Sequence, residues 1–157
     1  MKKTNEVSKQ VGVTKRTLQY YDEKGLIIVE RTSNNYRMYD KKTLERIWHI
    51  LVYKEMNLEL KEIKHLLELS DGQKKIFLKK RMEEIKNEAM NLKVQMGFIS
   101  LVQKYGMPPA PLEGSGITYK TCIEELRQRI RIETAKEEEG NINEQAKRNN
   151  GKDGKVG

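Results

Sequence analysis

A seven-residue repeat of apolar side chains constrains the fold of this chain more than any other feature. Between residues 73 and 105, apolar positions alternate at spacings of four and three, and the positions between them are mostly Lys, Glu, Gln and Asn. A single long helix with such a stripe can bury it only against another helix. The repeat therefore predicts a dimerisation helix whose seam consists of Leu78, Met82, Ile85, Ala89, Leu92, Met96 and Ile99.

A short helix nearer the N-terminus carries the side chains best suited to contact DNA. Thr14 is a good N-cap for this helix and Gly25 ends it. Hydrogen-bonding side chains on one helix can read base edges in the major groove. Because adjacent residues point in different directions, we expect Tyr20 to face outward, with Tyr21 either on DNA or in the core. The predicted DNA-binding residues of this segment are Thr14, Lys15, Arg16, Gln19, Tyr20 and Tyr21.

A basic hairpin is predicted directly after this helix. Residues 27–29 form a β-branched run, Asn34 and Asn35 favour a turn, and a second short strand follows up to Tyr39. Arg37 and Tyr39 are predicted to contact phosphates, with packing beneath the hairpin as the alternative for Tyr39. A helix followed by a basic hairpin is typical of a winged helix-turn-helix, which holds double-stranded DNA.

The rest of the chain is predicted to be mainly helical. A helix over about 41–56, capped by Asp40, carries Trp48 on its apolar face, so we expect Trp48 in the core. The prolines of 107–111 predict a stiff linker before a last helix over about 118–138. The predicted units are a winged helix-turn-helix domain (1–70), a coiled-coil dimerisation helix (73–105), a linker with a short C-terminal helix (106–139) and a disordered tail (140–157).

Charge and composition narrow the classes of function. The chain has 31 Lys and Arg against 23 Asp and Glu, a net charge of +8, and all of the excess lies before residue 106. This distribution fits a nucleic-acid partner. A single cysteine, Cys122, excludes an internal disulfide and fits a reducing compartment. No apolar run reaches the roughly 20 residues of a membrane span, and the N-terminus does not resemble a secretory signal.

No catalytic arrangement is apparent. The sequence has no Gly-rich phosphate loop and no nucleophile beside a base, and His49 and His65 lack partners at metal-ligand spacing. We therefore expect a cytoplasmic, nucleoid-associated protein that is not an enzyme and needs no cofactor, metal or membrane.

Four segments together resemble the MerR family of bacterial transcription regulators. Over residues 5–70 they occur in the order and spacing of that family. The segments are Glu6-Val-Ser-Lys-Gln-Val-Gly-Val-Thr, Arg16-Thr-Leu-Gln-Tyr-Tyr-Asp-Glu-Lys-Gly-Leu, Asn35-Tyr-Arg-Met-Tyr and Leu60-Lys-Glu-Ile-Lys-His-Leu-Leu. The resemblance implies a homodimer joined by an antiparallel coiled coil. It also implies binding to an over-long promoter spacer, which is bent and untwisted so that RNA polymerase can use both promoter elements.

The chain departs from the family pattern in ways that leave its output open. Gln19 stands where the family usually has Arg, and Glu59 where it often has a Ser or Thr cap. The resemblance is to a short form without a large effector domain, so the small-molecule effector and any sensing role of Cys122 stay open. The alternative function is an architectural or accessory DNA-binding protein of a mobile element without a sensor. The ordered motifs argue against a simple coiled-coil adaptor.

Overall fold

Six helices and three short strands make up residues 1–151, the part of the chain that this computed structural model describes. The strands form one antiparallel sheet in the order β1-β3-β2. The mainly α class, with a small N-terminal winged helix-turn-helix and a long helix after it, is confirmed. The elements are β1 (Lys2–Lys3), α1 (Thr4–Val11), α2 (Lys15–Glu23), β2 (Glu30–Arg31), β3 (Arg37–Tyr39), α3 (Lys41–Glu55), α4 (Leu60–Glu68), α5 (Asp71–Tyr105) and α6 (Tyr119–Asn150).

Side-chain caps fix where the helices of the N-terminal region begin. The hydroxyl of Thr14 accepts from the backbone N–H of Thr17 at 3.1 Å, and the Asp40 carboxylate accepts from that of Thr43 at 2.7 Å. Both predicted caps are thus confirmed. Hydrogen bonds from Thr43 hold the pKa of Asp40 below its usual value, because they stabilise the ionised carboxylate. Directly before α4 the backbone N–H of Glu59 donates to the Glu62 side chain, so Glu59 caps the helix although it is not a Ser or Thr.

The chain divides into two compact units, of which the first is Met1–Lys79. Its core gathers side chains from α1 to α4 and from the sheet. Phe77 and Leu78, in the first turns of α5, also pack against this core, which explains why the unit continues past the end of α4. Its fully buried side chains are Val7, Leu18, Tyr21, Leu26, Ile27, Tyr39, Ile47, Ile50, Ile63 and Leu66.

The second unit, from Lys80 onward, contains most of α5 and all of α6. Val94 on α5 and Ile130 on α6 are its buried apolar side chains among the described residues. Gly97 lies directly against Ile130, and Lys93 forms an ion pair with Glu138. The glycine in the middle of a helix, which weakens the helix by itself, therefore has a packing role: it lets α6 approach α5 closely.

The predicted seam lies on another side of α5. At about 100° per residue, positions such as Ile85, Leu92 and Ile99 are turned well away from Val94 and Gly97. The seam residues from Met82 to Ile99 are exposed in the single chain. Leu78, the first residue of the predicted seam, instead packs against the core of the first unit.

The C-terminal helix differs from the sequence prediction in length. It begins at Tyr119, as expected, but continues past residue 138 to Asn150. Residues 140–150, predicted to be disordered from their polar composition, are therefore helical. Gly151 follows the helix as its C-cap, and residues 152–157 of the predicted tail lie outside the described residues. The cationic side chains of Lys147 and Arg148 in the last turn stabilise a helix C-terminus. The prediction of disorder considered only the scarcity of apolar residues and did not include this contribution.

The contact at Gly97 leads to a first prediction. A Cβ added at this position would lie 2.3 Å from Cγ2 of Ile130. We expect Gly97→Ala to lower the melting temperature, because overpacking of about 1–3 kcal/mol outweighs the gain of about 1 kcal/mol in helix propensity. Gly140→Ala is the control, since Gly140 lies in α6 with open space around its Cβ position, and thermal unfolding compares the two.

A shorter side chain at position 130 should reduce the loss of stability caused by Gly97→Ala. Adding Ile130→Ala to Gly97→Ala removes the side chain that the new methyl group meets. The second substitution should therefore destabilise the Gly97→Ala protein less than it destabilises the wild type. Equal stabilisation by Gly97→Ala and Gly140→Ala would contradict the packing described here.

Candidate nucleic-acid interface

The outward face of α2 carries the predicted polar and cationic side chains. Lys15, Arg16 and Gln19 are exposed, and Tyr20 is 42% exposed. The Lys24 ammonium lies 5.4 Å from the centre of the Tyr20 ring, a cation–π contact that keeps a positive charge beside the ring. Thr14 is also exposed, but its hydroxyl is engaged in capping the helix. This face therefore offers donors to an acidic or polar surface.

Tyr21 and Tyr39 correct the sequence prediction. Both were included among the predicted DNA-binding residues, with the core as the alternative for Tyr21 and packing beneath the wing as the alternative for Tyr39, and their side chains are 1% and 0% exposed. Tyr21 lies three residues after the buried Leu18 and shares its inward face on α2, while Tyr39 ends β3 on the core side of the sheet. Each hydroxyl is buried and has no hydrogen-bond partner among the described residues. The alternatives of core packing for Tyr21 and packing beneath the wing for Tyr39 are the ones observed.

Removing these hydroxyl groups tests their assignment to the core. We expect Tyr21→Phe and Tyr39→Phe to melt no lower than the wild type, because a buried hydroxyl without a partner does not stabilise the folded state. DNA affinity should stay within about twofold, since a net hydrogen bond is worth about 1 kcal/mol and none is lost. A tenfold loss of DNA affinity in a titration, with an unchanged melting temperature, would show that the hydroxyl group contacts DNA.

The wing is tied to α2 by an ion-pair cluster. Arg37 Nε donates to Oδ2 of Asp22 at 2.7 Å, and Arg31 Nη2 donates to the same oxygen at 3.1 Å. Arg31 also donates through Nη1 to Oδ1 of Asn35, which adopts the left-handed conformation with φ of 61° in the turn. Arg37, predicted to contact phosphate, is thus largely engaged by Asp22 and 19% exposed, whereas Arg31 is 42% exposed.

Arg31 was missed by the sequence analysis, although the turn position could have revealed it. The observed register is that of a hairpin centred on Asn34, which places Arg31 directly across from Arg37. A second short strand partner, β1, was also missed, because two lysines at the chain start carry no strand signal.

Trp48 corrects another expectation. It was predicted in the core with Ile47, but its side chain is 66% exposed. The buried positions of α3 are Thr43, Ile47 and Ile50, so the centre of the inward face passes between Ile47 and Ile50. Trp48, the residue after Ile47, is turned about 100° away from Ile47.

Arg46, on the other side of Ile47, forms an ion pair with Glu68. The hydrogen bond from Arg46 lowers the pKa of the Glu68 carboxyl.

Two kinds of site are not found among residues 1–151. No group of three or more His, Cys, Asp or Glu side chains is arranged to hold a metal ion. No helix in this part of the chain is long and apolar enough to cross a membrane. Cys122 is a free, half-buried thiol.

The sequence and structure are similar to those of known regulators. Residues 3–70 match the family model described as "MerR HTH family regulatory protein". The HTH-type transcriptional regulator CueR of Bacillus subtilis is 42% identical over 64 residues, which cover 41% of this chain and 45% of that protein. The mercuric resistance operon regulatory protein of Bacillus cereus is 40% identical over 67 residues, which cover 42% of this chain and 51% of that protein. The chain thus spans about half the length of these curated relatives.

Two solved structures extend the similarity beyond the matched residues. The N-terminal part of the Bacillus subtilis multidrug transporter activator MtaN superposes with a TM-score of 0.61 at 28% identity, covering 66% of this chain and 99% of that one. A MerR family transcriptional regulator from Bacillus cereus superposes with a TM-score of 0.52 at 22% identity, covering 82% of this chain and 96% of that one. The second likeness concerns the fold alone.

Proposed function

We propose that the protein is a dimeric, sequence-specific transcriptional regulator that binds and distorts promoter DNA, because residues 3–70 match the model of the MerR HTH family of regulatory proteins. It acts in the cytoplasm on double-stranded DNA. RNA polymerase is its indirect partner, because the distortion changes how the promoter elements face the polymerase. No feature of the described residues specifically favours the architectural alternative.

The observation that carries this proposal is the joined surface of α2 and the wing. The exposed side chains of Lys15, Arg16 and Gln19 lie on a helix of the length that enters a major groove. Asp22 on the same helix holds two arginines of the wing. A recognition helix with cationic groups fixed beside it matches the two tasks of DNA binding, since base contacts specify the sequence and phosphate contacts position the protein.

Each side chain has an expected role. Arg16 is suited to donate two hydrogen bonds to a guanine edge, and Gln19 can pair with an adenine edge. Lys15 and the wing arginines supply positive charge to the phosphate backbone. Because Gln19 adds no charge, the target sequence should differ from that of a relative with Arg at this position.

Dimerisation is supported by the apolar face of α5. Met82, Ile85, Leu92, Met96 and Ile99 follow the heptad spacing and are exposed in one chain. A second copy of α5 would remove this stripe from water, and its heptad spacing is that of helices that pair along their length. We propose the antiparallel arrangement, as the family resemblance implies.

Footprinting tests the proposal. The protein should protect a segment of the DNA upstream of its own gene. When this site is placed at different positions within fragments of equal length, the gel mobility of the complex should depend on the position, as it does for bent DNA. Transcription in vitro from the same fragment should change when the protein is added. Protection and bending without any change in transcription would support the architectural alternative, and no protected upstream segment would refute the proposal.

A further inference from the structure

One carboxylate oxygen links the recognition helix to both strands of the wing. Asp22 is the penultimate residue of α2, Arg31 lies in β2 and Arg37 begins β3. Oδ2 of Asp22 accepts a hydrogen bond from each arginine, and the Asp22 side chain is itself only 16% exposed. The position of both guanidinium groups relative to α2 therefore depends on this one side chain.

The two arginines form a pair that is unfavourable without Asp22. Arg31 and Arg37 are direct partners across β2 and β3, so their side chains lie on the same face of the sheet. Like charges in directly opposed positions repel. The carboxylate offsets this repulsion, yet two guanidinium groups and one carboxylate still leave the cluster with a net positive charge.

The cluster also retains hydrogen-bond donors. Each guanidinium has five N–H donors in a planar fork. The hydrogen bonds to Asp22 and Asn35 use Nε of Arg37 and one N–H on each terminal nitrogen of Arg31. Both arginines therefore have donors beyond these contacts that suit phosphate oxygens, which guanidinium groups bind in pairs.

We propose that Asp22 is a positioning residue for DNA binding, which holds Arg31 and Arg37 in place for the phosphate backbone before DNA arrives. This inference rests on the proposed function. A free arginine side chain samples many rotamers, and fixing them in the unbound protein reduces the entropy lost on binding. Asp22 thus favours the binding of an anion although it is itself an anion.

The proposal predicts an effect opposite in sign to that of charge alone. Asp22→Asn keeps the size of the side chain and removes one negative charge. If only net charge mattered, the variant would bind DNA more tightly and with a steeper salt dependence. We expect it instead to bind about tenfold more weakly, because two arginines in each subunit lose their charged acceptor and a neutral amide oxygen holds them less firmly. The slope of log K against log salt should become shallower, as it does when phosphate contacts are lost.

The experiment compares three proteins on the protected upstream fragment by fluorescence anisotropy at several salt concentrations. They are the wild type, Asp22→Asn and the control Glu23→Gln. Glu23 is the next residue, is exposed, and takes part in neither ion pair, so its substitution makes the same charge change without touching the arginines. Only Asp22→Asn should weaken binding, while Glu23→Gln should leave it unchanged or slightly tighter.

Two results separate the failure of this inference from failure of the proposed function. Asp22→Asn that binds as tightly as the wild type, or more tightly, would overturn the positioning role while leaving the protein a DNA-binding regulator. A wild-type protein that binds no upstream fragment would refute the proposed function, and the positioning role with it.

A second pair of variants tests the inference even if repulsion between Arg31 and Arg37 unfolds the wing in Asp22→Asn. In Arg31→Gln, Arg37 has no like charge across the strand, so adding Asp22→Asn leaves nothing to repel. Binding by this double variant should be several-fold weaker than by Arg31→Gln alone, because Arg37 loses its anchor. Equal or tighter binding would overturn the inference.

Discussion

Replacing Ile85 and Leu92 by aspartate should convert the protein to monomers and abolish specific DNA binding. Both side chains lie in the exposed apolar stripe of α5 that we assign to the dimer interface. Pairing two such helices would bury two unpaired charges per chain, and each uncompensated buried charge costs about 3–5 kcal/mol. This total is comparable to the whole stability of many domains, so the dimer should not form at micromolar concentration. Sedimentation velocity measures the change in mass, and anisotropy measures the loss of binding.

A charge-matched variant separates loss of the seam from the effect of added negative charge. Asn87→Asp with Asn91→Asp adds the same two charges to α5, but both positions are exposed and turned away from the seam. This control should remain a dimer and bind DNA with only a modest loss of affinity. A dimer that survives Ile85→Asp with Leu92→Asp would show that the two copies associate through another surface.

The second large effect is expected from Arg16→Ala. Arg16 is exposed in the first turn of α2, where the side chains of a recognition helix meet base edges. One bidentate contact to guanine contributes about 1–3 kcal/mol of discrimination. Because a dimer uses the contact twice, specific binding should weaken by roughly 2–6 kcal/mol, provided that the two sites act independently. Titration of the cognate fragment measures this loss.

The specificity of the loss distinguishes base reading from simple charge. Binding to unrelated DNA should fall much less, since it depends mainly on phosphate contacts. Arg127→Ala is the matched control, because Arg127 is an exposed arginine of α6 outside the N-terminal unit and pairs with Glu124. Equal losses on cognate and unrelated DNA would make Arg16 a phosphate contact, and no loss on either would remove it from the interface.

Local signals predicted where helices α2 and α3 begin, but they missed β1 and placed β2 at 27–29 instead of Glu30–Arg31. Thr14 and Asp40 have the chemistry of helix caps, and the structure uses both in that way. The turn at Asn34 and Asn35 could be predicted because Asn tolerates the left-handed backbone conformation, which is observed at Asn35. Such signals depend on a few neighbouring residues, so they survive in any tertiary context.

It was harder to predict which side of each helix faces the core than to predict the helix itself. An apolar face read from spacing is broad, and only packing decides which edge of it is covered. Trp48 lies on the edge that turned outward, while Tyr21 lies on the edge that turned inward. The long-range contact of Asp22 with the wing had no local signal either, since a carboxylate at the end of a helix is usually solvated. The same holds for Gly97, whose partner Ile130 lies on another helix.

In the proposed dimer, the apolar stripe of α5 also limits which DNA the protein can recognise. Two identical stripes that cover each other are related by a twofold rotation axis, and that axis relates every other part of the two subunits. The two α2 helices must then meet the duplex in opposite directions. The matching DNA is an inverted repeat, and the distance between its halves is set by the protein. A base change in one half of such an operator should weaken binding by about half as much, in free energy, as the same change in both halves.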